Sequence, residues 1–307
     1  MLLSRSENHS IRYDVLFPLL SKLPYPLAYR LADLQSGYFG RKHLSQKVLI
    51  AAQMRSAFPD AMDSEVEGWL RDYFCMVEQE ALDTWFLDSK NIPDLVELKG
   101  FEKVEELRQS GQRVFLTGGH FSRFWMAGPA MNLRGQRVGT ITRDGGEHNN
   151  HGLHPAEYKY RLYKLKKLKE VLGGPFLIEG EDLRPLYRQL DASLITLIFD
   201  VPYVEKPFGG VTVPFLEGSI NVPAGIYRIA KKTKAVVVPF YIHDLGAGKV
   251  IAEFSDVIDP NKYNDEDFMS LLVSQLEMRI KAKPGHWWLW EALPLLRSNK
   301  NESRENR

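Results

Sequence analysis

A histidine at the end of an apolar run is the residue of this chain best placed to do chemistry. The run reads Val114-Phe115-Leu116-Thr117-Gly118-Gly119-His120-Phe121-Ser122-Arg123-Phe124-Trp125. Its apolar half predicts a buried strand over 114–118, its glycines a sharp turn, and its aromatic half the start of a helix. An imidazole carried there can take or give a proton near neutral pH, and glycine backbone lets a ligand approach closely. A strand-end histidine can equally do no more than satisfy a loop carbonyl, so the rest of the chain must decide.

Further polar groups stand at similar places. Asp200 ends the apolar run 193–199, and Arg143, Asp144 and Glu147 follow the run 137–142. Ligands of open α/β sheets gather at such carboxyl strand ends. The same residues also suit caps, turns and solvated surface. His148, His151 and His154 are spaced for one helical side, but glycine, asparagine and proline between them predict a loop, and no metal site is expected. Cys75 is the one cysteine and lies in a helical pattern, which predicts a core thiol. No disulfide can form within the chain, and the cytoplasm is the expected compartment.

The elements that must position these groups follow from periodicity. Residues 1–95 read as a helical segment packed on the core: 46–57 has helical spacing, and Asp63-Ser64-Glu65 opens another helix with an acidic first turn. From Phe101 onward, short apolar runs at 114–118, 137–142, 193–199, 235–241 and 249–255 alternate with helix-length segments. That alternation predicts an α/β fold with a mostly parallel central sheet flanked by helices over 96–296. The polar tail 297–307 is expected to be disordered. With 307 residues, 44% of them apolar, a sizeable core can be buried, and a net charge of +1 gives no field that favours nucleic acid. The best apolar stretch, 13–31, is broken by Asp14, Lys22, Arg30 and prolines, so it predicts at most contact with a bilayer surface. Packing over the core is its competing role.

Several motifs in order carry a resemblance. They are Leu23-Pro24-Tyr25-Pro26-Leu27-Ala28-Tyr29-Arg30-Leu31, Phe58-Pro59 before an acidic helix, the Gly-Gly-His-Phe turn, and Asp200. Val211-Thr212-Val213-Pro214-Phe215, Ala224–Ala230, Ala235–Phe240 and Trp287-Trp288-Leu289-Trp290 follow. In these the chain resembles the lysophospholipid acyltransferase superfamily, in its branch of bacterial late acyltransferases of lipid A biosynthesis. The resemblance implies a glycerol-3-phosphate acyltransferase-like fold and transfer of an acyl chain from a thioester to a hydroxyl or amine, with His120 as general base. It implies no cofactor beyond the acyl thioester as co-substrate. The donor is expected on an acyl carrier protein, with coenzyme A as the alternative. The implied location is cytoplasmic, with peripheral contact to the inner face of the inner membrane.

The chain departs from the family pattern at one telling position. Where the family carries an acid five residues after its histidine, this chain carries Trp125. An indole donates one N–H and cannot stabilise an imidazolium. Asp200, Asp144 and Glu147 are the candidate substitutes, Asp200 being taken with His120 and Arg143 as the catalytic set. Arg143 matches the family's strand-end arginine, which would hold a phosphate or an oxyanion, together with backbone N–H groups near Gly119. Gly119, Phe121, Arg123, Phe124 and Trp125 are expected to meet the substrate. Lys164, Lys166 and Lys167 lie on a basic helical run, 159–169, suited to docking an acidic donor protein or anionic headgroups. Loss of the motif acid leaves two competing roles: a retired scaffold that binds acyl chains or carrier protein, and a variant that condenses or hydrolyses thioesters.

Overall fold

Apolar runs too short for helices pair into strands wherever both faces can be covered. The computed structural model describes residues 9–42, 44–88, 90–142, 148–149, 152–178, 182, 184–202 and 210–297. The strands are β1 (Val96–Lys99), β2 (Val114–Gly118), β3 (Val138–Thr142), β4 (Gly173–Ile178), β5 (Leu194–Ile198), β6 (Gly210–Phe215), β7 (Gly218–Pro223), β8 (Val236–Gly246) and β9 (Lys249–Phe254). Seven of them form one sheet in the order β1-β9-β8-β2-β5-β3-β4, and β6 and β7 form a separate antiparallel hairpin. Within the large sheet only β8 and β9 pair antiparallel. The mostly parallel α/β fold expected from the alternation is therefore present.

Parallel strands need crossovers, and the helices supply them. They are α1 (Tyr25–Lys42), α2 (Leu44–Ala57), α3 (Asp63–Asp83), α4 (Glu102–Gln109), α5 (Ala127–Leu133), α6 (Pro155–Leu172), α7 (Arg184–Gln189), α8 (Gly225–Thr233) and α9 (Asp265–Ala282), with short turns between them. Every residue of β2 is buried. Phe115 packs with Leu272 and Leu276 of α9 and with Met54 and Met76 of α2 and α3. Val114 and Leu116 face the other way, into a core shared with Tyr29 of α1, Met126 and Leu168 of α6. The helices before β1 thus cover both faces of the sheet, as a fully buried parallel strand requires.

Four features differ from the sequence-based expectation. The helix after His120 starts at Ala127, behind a 3₁₀ turn over Phe124–Met126, so the histidine sits on an extended turn and not at a helix mouth. Gly173-Gly174-Pro175 opens β4, an edge strand, which is where a residue without an N–H is tolerated. The hairpin β6–β7 and the short β1 were likewise not anticipated. Among the described residues no helix is long and apolar enough to cross a membrane. The tail from 298 lies outside the described residues.

Candidate active site

Strand register brings the two principal side chains together. β2 and β5 are parallel neighbours with Gly118 opposite Ile198, so residues two beyond each, His120 and Asp200, emerge side by side at the carboxyl end. His120 Nδ1 lies 2.7 Å from Asp200 Oδ1, and the His120 backbone N–H donates to both carboxylate oxygens at 2.9 Å. A carboxylate only accepts, so Nδ1 carries the proton. Nε2 has no hydrogen-bond partner among the described residues. Asp200 is wholly buried while the His120 side chain is 28% exposed, so the pair has a covered acid and an open base. Gly119 makes this approach possible: a Cβ there would stand 2.9 Å from Asp200 Oδ2 and 2.6 Å from Leu276 Cδ2.

The carboxyl-terminal segment clamps the same turn. The indole Nε1 of Trp287, fully buried, donates to Asp200 Oδ2 at 2.9 Å. The Trp288 backbone N–H donates to His120 O at 2.9 Å, and Ser122 N–H donates to His286 O at 2.7 Å. Trp288 Nε1 donates to Ser122 O at 2.7 Å. Between these bonds Ser122, buried, is held at φ 53°, a left-handed conformation that a serine adopts only under constraint. Burial, with Lys283 nearby, pushes His286 down to about 4, so it is neutral at physiological pH. Gly285 lets the segment lie on α3, where a Cβ would meet Trp69 O at 2.4 Å. The sequence marks 287–290 as an aromatic run, but nothing in it announces a donor to Asp200.

The remaining sequence-based candidates divide. Arg123 is not open to a substrate: it is fully buried, with its guanidinium on Asp83 at 2.6 Å, Asp244 at 3.1 Å and Gly248 O at 3.0 Å, over the Tyr29 ring. Burial alone would lower that guanidinium, and Asp83 and Asp244 instead hold it above its ordinary value. Burial pushes Asp83 up to about 6 against the pull of Arg123, so it is ionised at neutral pH. The turn's own N–H groups point inward, those of His120, Phe121 and Ser122 bonding Asp200, Gly119 O and His286 O. Those three are therefore already engaged within the protein. Phe121 is buried against Tyr241 and His286. Phe124 meets the His120 ring edge-on at 5.4 Å and Trp125 at 4.9 Å. Arg143, Asp144, Glu147 and His151 lie outside the described residues. His154 caps α6, accepting from Ala156 N–H at 3.2 Å. Cys75 is half-buried beside Ser36, and burial pushes its thiol up.

Of the basic run, Lys164 is paired with Glu80 in the wall of a groove. Lys167 lies 3.5 Å from Glu170, whereas Lys166 and Lys169 are exposed. Beside the pair runs an open groove of about 1260 Å³ between α6, α2, α3 and the first helical turns. Trp125 and Trp288, the neighbours of the His120 turn, form part of its wall, together with Arg12, Glu78 and Tyr160.

A buried acid, an oriented imidazole with one free nitrogen and an adjacent groove can together activate a hydroxyl or amine for attack. A model of the family described as bacterial lipid A biosynthesis acyltransferase matches residues 12–293. No curated protein sequence matches the chain. Among solved structures, the crystal structure of the 1-acyl-sn-glycerophosphate (LPA) acyltransferase, PlsC, from Thermotoga maritima is similar. It covers 82% of this chain and 95% of that chain, at 15% identity and a TM-score of 0.34.

Proposed function

The chain belongs to the bacterial lipid A biosynthesis acyltransferase family, and on that premise we propose that His120 is its general base and Asp200 the carboxylate that orients it. The observation carrying this reading is the 2.7 Å contact from His120 Nδ1 to Asp200, with Nε2 left open. Nε2 takes the proton of the acceptor hydroxyl or amine as that atom attacks the thioester carbonyl carbon. Asp200 stabilises the imidazolium so formed. The tetrahedral intermediate collapses, the carbon–sulfur bond breaks, and the imidazolium returns its proton to the leaving thiolate. The products are an ester or amide and a free thiol. The acid comes from the neighbouring strand end instead of the fifth residue after the histidine, which frees position 125 for a tryptophan.

The donor is an acyl thioester on an acyl carrier protein. Carrier proteins are acidic, and Lys166 and Lys169 are exposed around Leu162, itself 40% exposed. The acceptor is lipid-like, met at the inner face of the inner membrane. Ile11, Val15 and Leu19 are exposed on one helical line, and Leu27 and Leu34 of α1 are exposed with Arg30 between them. An apolar face bearing cations suits an anionic bilayer surface.

The test is consumption of thioester from acyl carrier proteins loaded with chains of different length, with and without a cell extract that supplies acceptors. Extract-dependent consumption is expected in the wild type and not in His120→Ala, and the mass of the product names the acceptor. Binding of the donor with no turnover overturns the proposal in favour of a scaffold. Consumption without extract overturns it in favour of hydrolysis.

A further inference from the structure

Trp125 separates two cavities. On one side lies the large groove; on the other lies a small slot of about 30 Å³ beneath the 3₁₀ turn, large enough for no more than the end of a chain. Among the described residues Trp125 is the one side chain that walls both. The two spaces lie along the same elements: Thr142 of β3 and Leu168 of α6 line the groove, while Thr140, two residues earlier on β3, and Leu172, four residues later on α6, line the slot. The slot is apolar apart from two threonine hydroxyls, and Phe124 stands between it and the His120 ring. Phe124, edge-on to the His120 ring, forms part of its wall, as does Ile198, two residues before Asp200. It cannot widen at the other end, because α5 and α6 are in contact there: a Cβ on Gly128 would stand 2.2 Å from Leu172 Cδ2. The half-buried indole is what confines it.

We propose that Trp125 is a specificity-determining partition: the end of the donor's acyl chain enters the slot, and the indole sets how long that chain can be. This rests on the acyl-transfer reading. A thioester carbonyl held at His120 has apolar wall on the slot side. On the groove side it has Arg12, Glu78, Glu80 and Lys164, which are poor neighbours for a hydrocarbon. Removing the indole enlarges the apolar slot itself and lets additional methylenes leave water.

The experiment compares wild type, Trp125→Ala and Trp125→Phe on saturated acyl pantetheine thioesters of increasing length. It is paired with calorimetric binding of non-hydrolysable acyl thioether analogues to the same variants in a His120→Ala background. Trp125→Ala is expected to move the optimum to longer chains, with affinity rising about fourfold for each methylene newly accommodated. Trp125→Phe keeps a ring in the wall and shifts the optimum less. It also tests the point by itself if the alanine variant does not fold. An unshifted length profile in the folded variants overturns the partition. A shifted binding profile with no turnover in any protein supports the partition and overturns acyl transfer, so the two failures are distinguishable.

Discussion

One turn supplies two contacts to buried carboxylates with opposite characters. His120 meets Asp200 with one ring nitrogen still open, and its side chain is partly exposed. Three residues on, Arg123 is buried completely, and Asp83, Asp244 and Gly248 O surround its guanidinium. The first pair takes its acid from the adjacent strand end. The second draws on α3, β8 and the turn that follows β8. A contact with one ring nitrogen left open can exchange a proton, whereas a guanidinium bonded through all three nitrogens inside the protein can only hold elements together. Incomplete coordination by the protein, more than charge itself, separates a reactive site from a structural one.

That contrast is sharpest in a pair of substitutions. Asp200→Asn is expected to lower kcat by about a thousandfold or more while the protein stays folded. Arg123→Met leaves Asp83 and Asp244 uncompensated and is expected to cost about 3–5 kcal/mol of stability in a denaturant melt. An Arg123→Met protein of normal stability and no activity would erase the distinction. His286 sits between the two regions and supplies a pH test. Its folded-state value of about 4 lies below the 6.5 of an ordinary histidine, so the unfolded chain binds more protons between those values. Its contribution is therefore intact above about pH 6.5 and is lost as the pH falls towards 4, to the extent of about 3 kcal/mol. His286→Gln should flatten the acid limb of a Tm-against-pH curve; an unchanged limb would show that another group controls it. The smallest effect is expected at Trp287→Phe, which removes one hydrogen bond to a charged acceptor and keeps most of the ring. Loss of about 2 kcal/mol of carboxylate support is expected, read as a drop of roughly thirtyfold in kcat with KM unchanged. A changed KM with normal kcat would place Trp287 at substrate binding instead.

How far the sequence discloses these roles depends on the distance over which partners are drawn. The apolar runs before His120 and Asp200 mark both as strand-end residues, and alternation marks the parallel sheet. What sequence does not display is that β2 and β5 are neighbours, an adjacency that brings Asp200 to His120; Asp144 and Glu147 lie outside the described residues. Arg123 looks like a substrate ligand because Asp83 and Asp244 are far away in the chain. Lys164 looks free for the same reason, its partner Glu80 being on another helix. β4 is hidden because Gly173-Gly174-Pro175 has the composition of a turn, yet an edge position tolerates it. The aromatic run near the end is visible as hydrophobic mass, but which indole N–H meets a carboxylate is a tertiary fact.

The clamp on Asp200 also sets when the protein can begin to work. Asp200 is 80 residues beyond His120, and Trp287 is 87 beyond Asp200. During synthesis the base emerges first, its acid much later, and the donor that steadies the acid only with the last helical turns. Contacts of such separation form late, once the loops between them have closed. A nascent or carboxyl-terminally truncated chain therefore carries the histidine without its assembled environment. Gain of activity would report that the segment carrying Trp287 has folded onto the Asp200 turn.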